Sequence, residues 1–210
     1  VGSRASSGSS ALAWSTRSRT SVSARSTSTS GPNSSVIDAR FSVAEAISRV
    51  NRELARDNER AMFVTAFAAR LDLATGELEY VNAGHNPTYL IEPSRAPAPL
   101  GGPVDPALGA VEGHLYRESV VRLQPGDALV LCTDGVVEAR NASGEEFHAL
   151  RLESYLDGCR DATAADVVRG LVGRVEDFAG DTPQYDDVTV LVLRLLGLEA
   201  AGLLEVVEGF

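Results

Sequence analysis

The sequence has no lysine. Its 19 basic residues are all arginine and face 29 acidic ones, for a formal net charge of −10. A chain this acidic repels nucleic acid and anionic membrane surfaces. The charge is also uneven. Residues 1–37 hold Arg4, Arg17, Arg19 and Arg25 and no acid, so residues 38–210 carry 15 Arg against 29 acids, a balance of −14. Cysteine is scarce: Cys132 and Cys159 form no C-x-x-C pair, which disfavours a disulfide scaffold and a thiolate zinc site. No apolar run reaches the ~18 residues that a membrane span needs. Residues 188–198 come nearest and are interrupted by Arg194. The N-terminus lacks the apolar stretch of a signal peptide. These absences lead to the expectation of a cytoplasmic protein with no membrane and no nucleic-acid partner. Also missing are a Gly-x-Ser-x-Gly elbow, a Walker loop and a His-Glu-x-x-His helix, which disfavours serine hydrolases, P-loop nucleotide binders and zincins.

What is present is 210 residues with 44% hydrophobic and 23% charged composition, enough for one domain with a full core. The first part reads differently from the rest. Of residues 1–35, 18 are Ser or Thr, and no apolar period of 2 or 3.6 runs through them. A segment of this kind buries too little apolar surface to offset its ordering entropy. Residues 1–40 are therefore expected to be a disordered leader, or text foreign to the domain, of the kind GC-rich DNA yields out of frame. Residues 41–196 are expected to form the folded domain and residues 197–210 a tail.

From residue 41 the pattern is regular. Ser42-Val-Ala-Glu45 is a capping box, and Val43, Ile47, Val50 and Leu54 mark one face of a helix ending near residue 57. Residues 61–71 and 77–82 read as a hairpin turned at Gly76, and residues 88–92 as a short strand. Residues 93–106 contain five prolines and read as a loop. Residues 116–123 alternate, and Gln124-Pro-Gly126 turns them into an apolar strand at 128–132. Helices are expected at 147–156 and, opened by the cap Thr163-Ala-Ala-Asp166, through 178. A last buried strand follows at 188–195. Strands followed by helices indicate an α+β fold with antiparallel sheets.

Two acidic motifs sit at strand ends. Asp134-Gly135 ends the strand Leu129-Val-Leu-Cys132, and Asp186-Asp187 opens Val-Thr-Val-Leu-Val-Leu193. Carboxylates at rigid strand ends suit a hard cation such as Mg²⁺ or Mn²⁺, which takes oxygen ligands and keeps several waters. Taken singly, each motif is more often a plain turn or a solvated edge. His85, in Asn82-Ala-Gly-His-Asn-Pro87, reads either as an acid–base group or ligand, or as a structural histidine bonded to its turn.

The order of the motifs adds what none gives singly. Asn51-Arg-Glu-Leu54, Asn82-Ala-Gly-His-Asn-Pro87, Leu123-Gln-Pro-Gly-Asp127, Thr133-Asp-Gly-Val-Val-Glu-Ala-Arg-Asn141, Gly144-Glu-Glu-Phe147 and Asp186-Asp-Val-Thr189 follow one another. From about Phe41 to Arg194 this series resembles the SpoIIE-like branch of the PPM (type 2C) metal-dependent protein serine/threonine phosphatases. The resemblance implies a four-layer αββα sandwich and a two-metal site of Mn²⁺ or Mg²⁺ at one edge, where a metal-activated water attacks phosphoserine or phosphothreonine. It implies Asp134 and Asp186 as metal ligands, Asp187 as a neighbour orienting them, Gly135 as a tight turn and His85 as a site-shaping residue. The substrate it implies is a phosphorylated regulatory protein, such as an anti-sigma-factor antagonist. The sequence also departs from the family. A Gly-Asp-rich strand and a Gly-Asp-Val-Ser-Gly-Lys-Gly-like segment, which supply the Asp bridging both metals, have no counterpart in residues 1–40, where Asp38 is the only acid. One or more strands are expected to be missing with them. His148 stands where the family usually has Gly after the Phe. The alternative reading is a catalytically impaired phosphatase-fold module acting by protein interaction.

Overall fold

The computed structural model describes residues 10–16, 23–26, 41–56, 58–184, 186–197 and 204–209. Helix α1 (Val43–Ala55) starts as its capping box predicts: the Ser42 hydroxyl accepts from Glu45 N at 3.1 Å, and Ser42 N donates to the Glu45 carboxylate at 2.9 Å. A third N-terminal amide, that of Ala44, donates to Glu118 at 3.1 Å. Three of the four free donors at this helix start are thus met by side chains.

Two antiparallel-rich sheets stack face to face. The first has the order β2 (Ser23–Ser26), β1 (Ser10–Thr16), β3 (Thr65–Leu71), β4 (Glu77–Ala83), β7 (Val104–Asp105), with β8 (Ser119–Arg122) also paired to β4. The second has the order β11 (Leu204–Gly209), β10 (Val190–Leu195), β9 (Ala128–Cys132), β5 (Tyr89–Ile91), β6 (Ala98–Pro99). Between β9 and the second long helix lie a single helical turn, α2 (Asp134–Val137), and α3 (His148–Asp157). Helix α4 (Ala164–Ala179) follows.

Side-chain alternation separates three apolar layers. In β9 and β10, Leu129, Leu131, Leu191, Leu193 and Leu195 meet Phe67, Ala69, Leu71, Leu78 and Tyr80 of the first sheet. The intervening Ala128, Val130, Cys132, Val190 and Val192 meet Leu152 and Leu156 of α3 and Val167, Val168, Leu171 and Val175 of α4. On the far side, Ala66, Ala68, Val81 and Ala83 pack on Val43 and Ile47 of α1. The order is helix, sheet, sheet, helices, the expected αββα sandwich. Strands β9 and β10 are apolar at nearly every position because both of their faces are covered.

The chain ends depart from expectation. Ser10–Thr16, placed by composition in a structureless leader, forms β1 and pairs antiparallel with β3 from Ser10↔Leu71 to Thr16↔Thr65. That side of β3 is thus paired by a segment in which no strand was expected. The physical reason is that an open sheet edge offers a row of backbone donors and acceptors to any extended segment, whatever its side chains. Ser23–Ser26 of the same leader forms β2 beside β1, and the remainder, Asp38 included, lies outside the described residues. The expected tail likewise contributes β11, paired with β10 through Val190↔Gly209 to Leu195↔Leu204.

Smaller differences have local causes. Residues 61–64 stay outside β3 because Ala61 has φ +47° and the Asn58 side chain holds both backbone groups of Met62. The proline-rich loop still lends β6 and β7 to the sheet edges.

Arg194, which breaks the last apolar run in sequence, is buried and bonded. Its guanidinium donates to Gly126 O at 2.6 Å, Arg160 O at 3.1 Å and Cys159 O at 3.2 Å. It thus serves carbonyls beyond the C-terminus of α3 and in the turn before β9. Burial pulls its pKa below the ordinary value, against the opposing charges of Glu205, Asp161 and Asp127. Arg194→Met should strand these acceptors and lower stability by about 3 kcal/mol, read as a fall in the urea midpoint. An unchanged midpoint would show that the three bonds add nothing.

His148 has φ +63°, the left-handed region that glycine enters at no steric cost. The departure noted in sequence therefore falls on a strained backbone position. His148→Gly should raise stability by about 1 kcal/mol, the relief of that strain exceeding the added freedom of the unfolded chain. A lowered thermal midpoint would contradict this.

Candidate active site

Three chain segments meet at one end of the sandwich. The antiparallel register sets Cys132, the last residue of β9, against Val190, the first of β10. The Thr-Asp-Gly turn leaving β9 therefore lies beside the Asp-Asp turn entering β10. At the same end, residues 84–88 cross from β4 to β5, whose Tyr89 pairs with Val130.

The two acidic turns are in contact. Thr133 is buried in extended conformation; its N donates to Thr189 O at 3.0 Å, and its hydroxyl donates to Asp187 O at 2.6 Å. Gly135 comes closer still. A Cβ at that position would lie 2.6 Å from Asp187 O and 3.1 Å from Asp186 O. The role expected of Gly135 was a tight backbone turn. The structure gives a different reason: its backbone lies where no side chain fits, against the neighbouring turn. Asp134 is partly buried and Asp186 and Asp187 are exposed. Each of the two candidate ligands accepts the next amide, Asp134 from Gly135 N at 3.2 Å and Asp186 from Asp187 N at 2.8 Å. Gln184 Nε2 donates to Asp186 O at 2.5 Å and closes the second turn locally.

His85 is buried beside this pair. Asn82 clamps its backbone, accepting from His85 N at 2.8 Å and donating to His85 O at 3.0 Å. Gly84, at φ +72° and with Ala107 N 3.0 Å from where its Cβ would be, makes the bend between them. The His85 Nδ1 lies 2.8 Å from Asn86 O, and since a carbonyl only accepts, the ring proton is on Nδ1. Burial holds the imidazole pKa below its ordinary value, against the Asn86 carbonyl and the charge of Asp134, which raise it. His85 is bonded into its own turn and lies within electrostatic reach of Asp134.

Cys132, one residue before Thr133, is buried, and its thiol is pushed up to about 12 by burial and by the Asp134 charge. A thiol buried in this way has the surroundings of a structural cysteine. The carboxylates carried by the two turns are those of Asp134, Asp186 and Asp187. Among the described residues no group of three or more His, Cys, Asp or Glu is placed to hold a metal ion. Two carboxylates with water suit a single Mg²⁺ or Mn²⁺; the described residues do not make up a two-cation set.

Comparison with known proteins completes the picture. The family of the stage II sporulation protein E (SpoIIE) matches residues 7–196. The chain belongs to the SpoIIE family. The match takes in the segment that composition set apart as a leader, and agrees with β1 lying in the first sheet. Among curated relatives, protein IcfG of Synechocystis is 29% identical over 138 residues, covering 64% of this chain and 21% of that protein. Phosphoserine phosphatase RsbU of Bacillus subtilis is 24% identical over 154 residues, covering 72% of this chain and 44% of that protein. The chain thus spans less than half the length of both relatives. Among solved structures, the PP2C domain of SiaA from Pseudomonas aeruginosa superposes with a TM-score of 0.63 at 22% identity, over 73% of this chain and 61% of that one. This similarity shows a PP2C-type fold.

Sequence reasoning singled out the acids and His85 but passed over Thr133, Thr189 and Asn82 as site-building residues. The signal for them was their adjacency to the acids and the histidine in the motifs themselves.

Gly135→Ala should force the Asp186–Asp187 turn away and cost about 2 kcal/mol or more, with far-UV circular dichroism unchanged and the denaturation midpoint lowered. A neutral effect would mean that the two turns separate freely.

Proposed function

We propose that residues 41–196 form a SpoIIE-type phosphatase unit that hydrolyses phosphoserine or phosphothreonine on a regulatory protein in the cytoplasm, such as an anti-sigma-factor antagonist. The observation that carries this reading is the contact of the Thr-Asp-Gly turn with the Asp-Asp turn in a chain of the SpoIIE family. The relative named phosphoserine phosphatase supports the reaction class. Among the described residues no helix is long and apolar enough to cross a membrane.

Asp134 and Asp186 would hold a divalent cation, Mn²⁺ or Mg²⁺. Such a cation supplies a more acidic bound water and offsets charge on the phosphoryl oxygens. The chain's own contribution is to hold the two carboxylates on turns fixed by sheet register, to keep the Asp187 carbonyl engaged by Thr133, and to wall the site with a buried His85. Asp187, adjoining Asp186, orients the second turn.

A second reading has its own support. The family's acid that bridges two cations has no counterpart among residues 1–40 other than Asp38, and the described residues provide no third ligand. On this reading the chain keeps the fold and acts by protein interaction.

One assay separates the two. The chain as it stands, with millimolar Mn²⁺ and a phosphorylated antagonist protein, should turn over slowly or not at all. A chimera whose first 40 residues are replaced by a family-like strand carrying Gly-Asp-Val-Ser-Gly-Lys-Gly should gain at least about 100-fold. Asp134→Asn or Asp186→Asn in the chimera should abolish that gain. An inactive chimera with intact fold would support the interaction module, and full turnover by the unmodified chain would show that the two acids suffice or that Asp38 joins them.

A further inference from the structure

One side chain at the candidate site has both of its hydrogen-bonding functions in use and no part in holding the cation itself. The Thr133 hydroxyl donates to Asp187 O at 2.6 Å and accepts from Thr189 N at 2.9 Å. It is 3% exposed, so water does not compete for either bond. Thr133 immediately precedes Asp134, and Asp187 immediately follows Asp186. The hydroxyl is therefore a one-residue bridge between the two acid-bearing turns.

The β9–β10 ladder does not do this work. Its last pair is Cys132↔Val190, and the acids lie beyond it. The second turn is otherwise held from within: Asp187 N bonds the Asp186 carboxylate, and Gln184 bonds Asp186 O. Among the described residues, the Thr133 bond is the one hydrogen bond tying Asp186 or Asp187 to a residue outside their own loop. The close approach of Gly135 to Asp187 O limits how near the turns come, and the hydroxyl limits how far apart they move.

We infer that Thr133 is a positioning residue whose hydroxyl sets the spacing between the Asp134 and Asp186 carboxylates. The inference rests on the reading of those acids as ligands of one cation. A threonine is suited to the role because its methyl group fills buried space while its hydroxyl donates one bond and accepts another. Serine keeps the hydroxyl, and valine keeps the volume without it.

The test uses the full chain and its Thr133→Val and Thr133→Ser variants, with a core variant, Val130→Ala, as a control for loss of stability alone. Mn²⁺ is titrated while NMR follows the paramagnetic broadening of the Gly135 and Asp187 amide signals. Removing a residue that orients metal ligands typically costs 10–100-fold in metal affinity. Thr133→Val should therefore need at least about 10-fold more Mn²⁺ for half-broadening, whereas Thr133→Ser and Val130→Ala should stay within about twofold of the parent, since both keep the bridge. Equal titration of Thr133→Val and the parent would overturn the proposal. So would a Val130→Ala shift as large as that of Thr133→Val, because the effect would then be one of stability.

If the parent itself shows no broadening with millimolar Mn²⁺, the reading of the acids as ligands fails, and the metal-free spectra decide the positioning role. The Asp186 and Asp187 amides should then shift or broaden in Thr133→Val and not in Thr133→Ser. Unchanged signals in both variants would overturn the bridge.

Discussion

The antiparallel pairing of β9 with β10 is the constraint on which the rest of the molecule depends. Its register, Val190↔Cys132 through Arg194↔Ala128, places one set of side chains toward the first sheet and the other toward α3 and α4. A slip of one residue would exchange the leucines with the valines and alanines and misfit both layers at once. Two apolar cores of different width therefore hold the same register. The leucine-rich face spans the distance between sheets, and the smaller Ala128, Val130, Val190 and Val192 admit the helices. Because the register is fixed from both sides, the strand ends from which the acid-bearing turns leave are fixed too, and the Thr133 hydroxyl ties the turns beyond them.

Much of this was legible in the sequence for a physical reason. Caps, apolar strands covered on both faces, and Gly- or Pro-marked turns are local signals, and the central elements are rich in them. Ser42 and Thr163 cap helices as their spacing predicts, with Thr163 accepting from Asp166 N at 3.1 Å. The peripheral strands were not legible because their pairing is decided by a partner. Neither Ser10–Thr16 nor Leu204–Gly209 carries a local signal stronger than its surroundings, and both are held by an edge that only the folded sheet presents. The same distinction runs through the candidate site. Asp134, Asp186 and His85 stand out by residue type and motif. The use of Gly135 for close approach, and of Thr133 as a bridge, depends on which turn comes to lie opposite, and that is a property of the register.

Two buried polar groups outside the site, Asp105 and Asn51, hold a loop. Asp105, with its side chain wholly buried, accepts from Arg117 N at 2.8 Å, from the Arg117 guanidinium at 2.9 Å and 3.0 Å, and lies 3.1 Å from His114 Nε2. Burial raises its pKa, and the Arg117 and His114 contacts outweigh that, leaving it below the ordinary carboxylate value. Its contribution to stability is therefore present above the unfolded carboxylate range and lost as pH falls through the depressed value. Asn51, also buried, donates to Val111 O and accepts from Gly109 N, which pins the same loop to α1. These groups tie the loop to the first sheet and its helix.

The electrostatics of those turns explain why a third acid matters more than the chain's overall acidity. Two divalent cations ~4 Å apart repel by about 17 kcal/mol even at an effective dielectric of ~20. Two carboxylates neutralise one such cation and leave a pair with a net charge of +2. A carboxylate placed between the cations attracts both at contact distance, so it lowers the energy of the pair in a way that remote charge does not. The chain's formal −10 gives little help, because exposed charges farther than about 8 Å are largely screened at physiological ionic strength. Asp187 adds charge next to Asp186, but its carbonyl is held by Thr133 and its place is on one side of the site. On the proposed reading, sheet register and Thr133 would therefore present carboxylates for one cation. The step from one to two is set by whether a carboxylate can enter between Asp134 and Asp186 from a third segment of chain.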